Sequence, residues 1–194
     1  MVLSESGLDF EFAVGTDGIK FDDTAFYRRQ FSKISYAKGV DFVVSDRHRI
    51  YFIEVKNCLG HETENRWRIA PDNAKRGTAV TAANRMLVQG RESLDQEVAD
   101  KITMTLACLA GASTFGELTK DRLKTYAREN FRSLSDKEIF VILHLEGNFE
   151  SKSRSKAMIM KGLQDSLRSK LRWLNCRVSV VDSNTCRAYK VLRS

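Results

Sequence analysis

The chain contains Val40-Asp41-Phe42-Val43-Val44, then a polar turn, then Ile50-Tyr51-Phe52-Ile53-Glu54-Val55-Lys56, and its architecture follows from these two segments. Both are rich in β-branched and aromatic residues, which favour strands. The second is nearly continuous in apolar residues, which is typical of a strand buried on both faces. The residues between them are polar and few enough to close a hairpin. We therefore predict two adjacent antiparallel strands at 40–44 and 50–55.

Three charged side chains interrupt this apolar hairpin. Side chains alternate along a strand, so Glu54 and Lys56 share one face. Asp41 lies near the start of the first strand and Glu54 near the end of the second, and these ends are neighbours in an antiparallel pair. We expect the three side chains to converge at one end of the hairpin. The alternative is a surface ion pair, with Glu54 and Lys56 flanking Val55 on an exposed face.

Charge at the margin of a core costs roughly several kcal/mol unless something compensates it. A bound Mg²⁺, or Mn²⁺, would compensate for two carboxylates, because such cations take oxygen ligands and keep several waters. The metal can orient a water, lower its pKa and neutralise the charge of a phosphodiester transition state. Lys56 beside it would position the water or stabilise the developing charge.

Asp41, twelve intervening residues and then Glu54-Val55-Lys56 resemble the signature of the PD-(D/E)XK nuclease superfamily. The resemblance implies an α/β, restriction-endonuclease-like fold with a mixed central sheet flanked by helices. It implies metal-dependent hydrolysis of phosphodiester bonds in DNA, with Asp41, Glu54 and the Val55 carbonyl as metal ligands. Lys56 would complete the catalytic set. Val40 stands where the family has its proline.

The family often has a further acid on its first helix. Asp23 is the candidate that we assign to this catalytic role, and Asp22 and Glu11 are the alternatives. Many nucleases of this type act as dimers to cut two strands, so the resemblance also leaves a homodimer open.

Apolar spacing and turn residues predict the remaining elements. Residues 15–18 are typical of a turn, and 57–78 are predicted to be a long loop. One mixed α/β nuclease-like domain over residues 1–194 follows, with extra helices between the catalytic hairpin and the next core strand. The predicted strands are 8–14, 139–143, 177–181 and 187–192, and the predicted helices are 26–34, 79–88, 92–110, 116–131 and 154–174.

Positive charge is concentrated at the end of the chain. Residues 151–194 hold eleven Lys or Arg against two Asp, although the net charge of the whole chain is +7. A local basic surface favours a polyanionic partner. Four cations share one face of the predicted helix 154–174 and could contact successive phosphates of a nucleic acid. The alternative is that they form an ordinary solvated face of the helix. These residues are Arg154, Lys161, Arg168 and Arg172.

A second set of candidate nucleic-acid contacts follows the catalytic strand. Trp67 lies between Arg66 and Arg68 and could stack on a base, or it could cap the core, which is the commoner role of a tryptophan. Lys75 and Arg76 would add phosphate contacts.

Several classes of protein are disfavoured. The four cysteines form no CxxC pair, so neither a zinc site nor a disulfide framework is expected. No signal peptide and no apolar run of membrane-spanning length is visible, so we expect a protein of the reducing cytoplasm with no membrane partner. The expected function is a Mg²⁺-dependent endonuclease acting on DNA. The alternatives are a non-catalytic nucleic-acid-binding protein and a protein-interaction subunit on the same scaffold.

Overall fold

The structure is a computed structural model that describes residues 1–69, 93–114, 121–131, 134–150 and 153–192. These residues form eight strands: β1 (Val2–Glu5), β2 (Leu8–Glu11), β3 (Asp17–Lys20), β4 (Phe42–Ser45), β5 (Arg49–Asn57), β6 (Glu138–Glu146), β7 (Cys176–Val181) and β8 (Lys190–Leu192). They also form five α-helices: α1 (Ala25–Arg29), α2 (Glu62–Ile69), α3 (Leu94–Thr114), α4 (Arg122–Tyr126) and α5 (Lys156–Lys170). Short 3₁₀ turns lie at Phe31–Lys33 and Leu134–Asp136, and a π-helical turn at Ala127–Phe131 extends α4.

The central sheet is mixed, with the strand order β3-β4-β5-β6-β7. The pairs β3–β4 and β4–β5 are antiparallel, so the predicted hairpin is present, whereas β5–β6 and β6–β7 are parallel. Parallel neighbours need a crossover. Helices α2, α3 and α4 lie on the first crossover, between β5 and β6, and α5 lies on the second. A separate antiparallel sheet has the order β1-β2-β8.

The middle strands β4, β5 and β6 are covered on both faces along much of their length, which agrees with their apolar residues on both sides. One face packs with the long helices in a cluster that includes Phe52, Val141 and Leu163. The other face packs with the small sheet in a cluster that includes Phe10, Phe42 and Ile53. The molecule is thus a mixed α/β protein in which the central sheet separates two apolar layers.

Some predicted elements are wrong in place or extent. Residues 57–78 were expected to form a loop, but α2 occupies Glu62–Ile69; its sequence, ETENRWRI, is polar because most of its positions lie outside the core. The turn predicted at 15–18 is present but lies earlier, at 14–15, and β3 begins at Asp17. The helix predicted at 154–174 is shorter, because Ser155 caps it: the Ser155 hydroxyl accepts from the Met158 N–H. The helix predicted at 79–88 lies outside the described residues.

Strand β1 was not predicted. Its residues VLSE alternate between exposed and half-buried positions, so it shows no apolar run. Among the helices that the structure describes, none has the length and apolarity to cross a lipid bilayer.

Candidate active site

Asp41 lies one residue before β4, at the point where backbone pairing with β5 stops. The last register pair of these strands is Phe42 with Ile53. Beyond it the Val55 N–H donates to Asp41 Oδ2 at 2.6 Å, so a side-chain carboxylate continues the ladder. Asp41 and Glu54 are buried, with 7% and 0% exposure. Both face the helical side of the sheet, because Phe42 and Ile53 face the other side.

Glu54 is held by two lysines through a single oxygen. Lys56 Nζ lies 2.8 Å and Lys101 Nζ 2.6 Å from Glu54 Oε1. Glu54 Oε2 is buried and has no hydrogen-bond partner among the described residues. An unsatisfied buried acceptor costs about 1–3 kcal/mol. This oxygen therefore has unused capacity to bind a cation or a water.

Helix α3 supplies the groups that face this carboxylate. Glu97, Lys101 and Thr105 follow one another at intervals of four residues, so they project from one face of the helix. Thr105 Oγ1 accepts from the Val40 N–H at 3.0 Å, which attaches the helix to the chain next to Asp41. Neither Glu97 nor Lys101 was predicted as a site residue. The available signal was this polar spacing on a helix face that is otherwise buried.

The charges alternate in sign along a chain of five side chains. Glu97 Oε1 lies 3.0 Å from Lys56 Nζ, and Arg68 pairs with the other oxygen of Glu97. Burial alone would lower the pKa of Lys56, but Glu54 and Glu97 outweigh it and raise that pKa above the ordinary value. Burial opposes ionisation of Glu97 as well, yet Lys56 and Arg68 lower its pKa. Lys56 is therefore held firmly as a cation. The order of the chain is Lys101, Glu54, Lys56, Glu97, Arg68.

Asp41 behaves differently from these paired groups. Burial, and then the negative charge of Glu54, raise the pKa of Asp41 from 3.8 to about 7, against the opposing charge of Lys101. Near neutral pH its charged and neutral forms are thus balanced. A cation placed between the two carboxylates would favour the charged form.

The three candidates for a further acid lie in different surroundings. Asp23 is part of an exposed pair with Arg28, and its carboxylate is 3.5 Å from Lys20. Asp22 has a buried Oδ1 without a hydrogen-bond partner among the described residues, and burial followed by the charge of Asp23 raises its pKa. Asp22 also follows Phe21, whose N–H donates to the Asp41 carbonyl at 2.8 Å. Glu11 is exposed in β2 of the small sheet. Of the three, Asp22 is the one with a buried carboxylate oxygen that has no hydrogen bond from a described residue, and its pKa is affected by the charge of Lys101.

The residues present fit a divalent cation. Within the described residues no group of three His, Cys, Asp or Glu side chains is arranged to hold a metal. Mg²⁺, however, is commonly bound through one or two carboxylates, with waters and phosphates completing its shell. The unpartnered Glu54 Oε2 beside Asp41 supplies such a donor set, and the Val55 carbonyl lies on the same strand.

The candidate nucleic-acid contacts are dispersed. Arg66 donates to the Glu150 carbonyl at 3.3 Å, and Arg68 pairs with Glu97 in the site itself. Lys75, Arg76 and the side chain of Trp67 lie outside the described residues. Arg66 and Arg68 are thus placed on α2, immediately after the strand that carries Glu54.

The predicted basic helix is α5, although only part of the cationic set belongs to it. Lys161 and Arg168 are exposed on α5, and Lys161 pairs with Asp165. Arg154 precedes the helix and Arg172 follows it. The buried side of α5 packs in the same cluster as the helical face of the sheet. These cations therefore lie on the same side of the sheet as Glu54 and Lys56.

Taken together, the mixed sheet and the paired carboxylates and lysines define an α/β protein with a buried ionisable centre at the edge of a hairpin. The chain belongs to the Family of unknown function (DUF6661), whose model matches residues 24–194. The match includes Asp41, Glu54, Lys56, Glu97 and Lys101 and excludes Asp22 and Asp23. No curated protein and no solved structure matches the chain.

Proposed function

We propose that this protein is a metal-dependent nuclease that hydrolyses phosphodiester bonds in DNA. The observation that carries the proposal is a fully buried Glu54, one oxygen of which has no hydrogen-bond partner among the described residues, next to Asp41, whose pKa is raised to about 7. Lys56 and Lys101 neutralise Glu54, but the burial of Asp41 beside it still disfavours a second negative charge, which a divalent cation would offset. Strongly perturbed groups of this kind concentrate at functional sites.

The restriction-endonuclease-like fold and the PD-(D/E)XK assignment are part of the proposal. Their support is the antiparallel pair β4–β5, with an acid before the first strand and Glu-x-Lys at the end of the second. The next strand, β6, is parallel to β5, and the helices between them are compatible with an elaborated version of that fold.

Each residue has a distinct task in this proposal. Asp41, Glu54 and the Val55 carbonyl would hold Mg²⁺ or Mn²⁺, which when bound supplies Lewis acidity and an activated water. Lys56 stays protonated between Glu54 and Glu97, so its positive charge is available to stabilise charge that develops on the phosphate. Lys101 adds a second ammonium group beside the same carboxylate. Arg68 and Glu97 keep Lys56 in position.

The substrate follows from the surface charge. Exposed cations on α5 and the basic excess of residues 151–194 suit a phosphate backbone, whose contacts are electrostatic and independent of sequence. All four cysteines are free thiols, which suits the reducing cytoplasm that we propose as its location.

A non-catalytic nucleic-acid-binding protein is the second candidate. The observation in its favour is that both lysines already neutralise Glu54 in the structure, while no set of three metal-binding side chains is found in its described part. Such a protein would bind DNA in a salt-sensitive way without cutting it.

A cleavage assay on duplex, branched and single-stranded DNA and on RNA separates the two candidates. We expect cleavage of DNA with Mg²⁺ or Mn²⁺, none in EDTA, and none by Glu54→Gln. The matched control is Glu64→Gln, because Glu64 is exposed on α2; it should cut like the wild type. Wild-type protein that binds these substrates and cuts none of them with either metal would overturn the nuclease proposal.

A further inference from the structure

A groove opens on the face of the central sheet opposite to the candidate active site. It encloses about 300 Å³, which is at the lower end of the range for ligand sites. Its apolar surface comes from β5, β6 and β7, and its other side from the segment before β8. We call it the aromatic groove; the residues that matter for its chemistry are Tyr51, Phe140, Ile142, Val181, Arg187 and Ala188.

Planar side chains form a row across the sheet at this groove. Tyr51 and Phe140 are register partners, and their rings are stacked with centroids 5.1 Å apart and planes at 29°. The guanidinium groups of Arg177 and Arg49 lie 5.6 and 5.9 Å from the centre of the Phe140 ring. Both rings are only partly buried. Because the two rings stack on each other and both guanidinium groups lie over Phe140, the groove offers ring edges and the apolar side chains of Ile142, Val181 and Ala188 to a flat aromatic group.

Positive charge surrounds this row. Arg49, Arg177 and Arg187 are exposed, and Glu138 is the acid that pairs with two of them, at 3.7 Å from Arg49 and 2.7 Å from Arg177. One carboxylate cannot occupy two guanidinium groups that each carry five N–H donors. The rim of the groove thus keeps a positive excess that is complementary to phosphate.

We propose that the aromatic groove binds an unpaired nucleotide of a single-stranded nucleic acid, with its base against Tyr51 and Phe140 and its phosphates at the three arginines. Aromatic surfaces inside a basic rim are how proteins bind single strands without reading sequence. In a duplex the bases are stacked between neighbours, so their faces are not free to enter a groove of this size. A neutral peptide would leave the positive excess of the rim without a counter-charge.

This site is distinct from the proposed catalytic centre. Arg49 and Tyr51 are at the start of β5, whereas Glu54 and Lys56 are near its end and face the opposite side of the sheet. Binding in the groove needs no metal. A single-stranded tail held here would tether the protein to nucleic acid that carries both paired and unpaired segments.

The test is fluorescence anisotropy in EDTA with a labelled oligo-dT strand and a duplex of equal length. We expect Tyr51→Leu to weaken single-strand binding about tenfold, the size of one lost base–aromatic stack, and Tyr51→Phe to retain it. Arg187→Gln, at an exposed position where unfolding is not a concern, should weaken it severalfold. Duplex binding should stay unchanged in all three variants, and Arg29→Gln, an exposed arginine on α1, is the matched control.

Three results would overturn the inference. The first is that Tyr51→Leu and Arg187→Gln both bind the single strand with wild-type affinity, and the second is that the variants lose as much affinity for the duplex as for the single strand. The third is that dTMP competes as strongly as unlabelled oligo-dT. The third would mean that the groove is a site for free nucleotides. The assay contains EDTA, and Tyr51 and Arg187 lie away from the Glu54 centre, so a failure of the nuclease proposal would leave this measurement intact.

Discussion

Two buried acidic clusters lie at the same level of the central sheet, on its opposite faces. Glu54 and Asp41 face the helices, while Glu146 and His144 on the adjacent strand β6 face the small sheet. The register pairs Val55, the neighbour of Glu54, with His144. The comparison shows how one scaffold treats two buried carboxylates differently.

The Glu146 cluster is satisfied. Its Oε1 accepts from the Ser183 N–H at 2.7 Å and from the Ser183 hydroxyl, and it lies 3.0 Å from His144 Nε2. His144 Nδ1 is 3.1 Å from the Tyr189 hydroxyl. Burial opposes ionisation of Glu146, yet Ser183 and then His144 lower its pKa. Burial lowers the pKa of His144 in turn. This network attaches the segment before β8 to the sheet.

The Glu54 cluster is not satisfied. One oxygen of Glu54 receives two lysines and the other receives nothing among the described groups, while Asp41 is poised between its two protonation states. Burial of a carboxylate therefore does not by itself mark a functional site. What distinguishes the candidate active site is a buried carboxylate oxygen that accepts no hydrogen bond from the described residues.

The largest expected effect is a loss of catalytic rate when Lys56 of the Glu54 cluster is replaced. Lys56→Ala should lower the cleavage rate about 10²–10³-fold, because it removes a fixed positive charge from the reacting phosphate. Single-turnover cleavage with Mg²⁺ measures it, and Lys33→Ala, at an exposed position, is the control. A rate within about threefold of wild type would remove Lys56 from the mechanism.

A substitution in the Glu146 cluster should instead lower the free energy of unfolding. Glu146→Ala leaves His144 and both Ser183 donors without their acceptor, and we expect a loss of about 3 kcal/mol in the free energy of unfolding. Urea unfolding measures this loss. Glu54→Gln should lose less stability while abolishing cleavage. If Glu146→Ala abolished cleavage at full stability, the division of roles between the two clusters would be wrong.

Metal binding should depend on pH through Asp41. The pKa of Asp41 rises from 3.8 to about 7 on folding. Between these pH values the folded protein keeps a proton on Asp41 that the unfolded chain has lost. The stability of the metal-free protein should therefore fall as the pH rises from about 4 to 7. A metal that needs the charged form should stabilise the protein at pH 8, by about 2.7 kcal/mol at a concentration of 100 times Kd, and much less at pH 5.5. Thermal unfolding with and without MgCl₂ measures both, and Asp41→Asn should abolish the difference. Equal stabilisation at the two pH values would contradict it.

A smaller effect is expected at Glu97, which contacts Lys56. Glu97→Gln removes one of the two carboxylates that hold Lys56, so Lys56 is positioned less firmly and the single-turnover rate should fall about 3- to 10-fold. A merely structural role would lower the rate only as far as the urea unfolding curve shows a loss of folded protein.

The smallest effect concerns DNA affinity. Replacing Lys161 and Arg168 together by Gln should reduce the slope of log K against log salt concentration by about 2 for duplex DNA, because two phosphate contacts are lost. Binding titrations at several salt concentrations measure it, with the exposed pair Arg29→Gln/Lys33→Gln as the control. An unchanged slope would assign the phosphate contacts to another face.

Local rules account for part of this architecture. The alternation of β5 is enough to place Glu54 and Lys56 on one face, and the polar turn before it is enough to pair β4 with β5. Polar patterning was less informative elsewhere. It did not predict α2, whose sequence is as hydrophilic as that of a loop, or β1, which has no apolar run.

Strand periodicity is a local property of the chain, and it is enough to specify the hairpin and the order of charged residues along it. The partners of those charges depend instead on tertiary packing. Lys101 and Glu97 come from a helix more than forty residues further along the chain. Such contacts depend on how the helices pack on the sheet, and no local pattern encodes that packing.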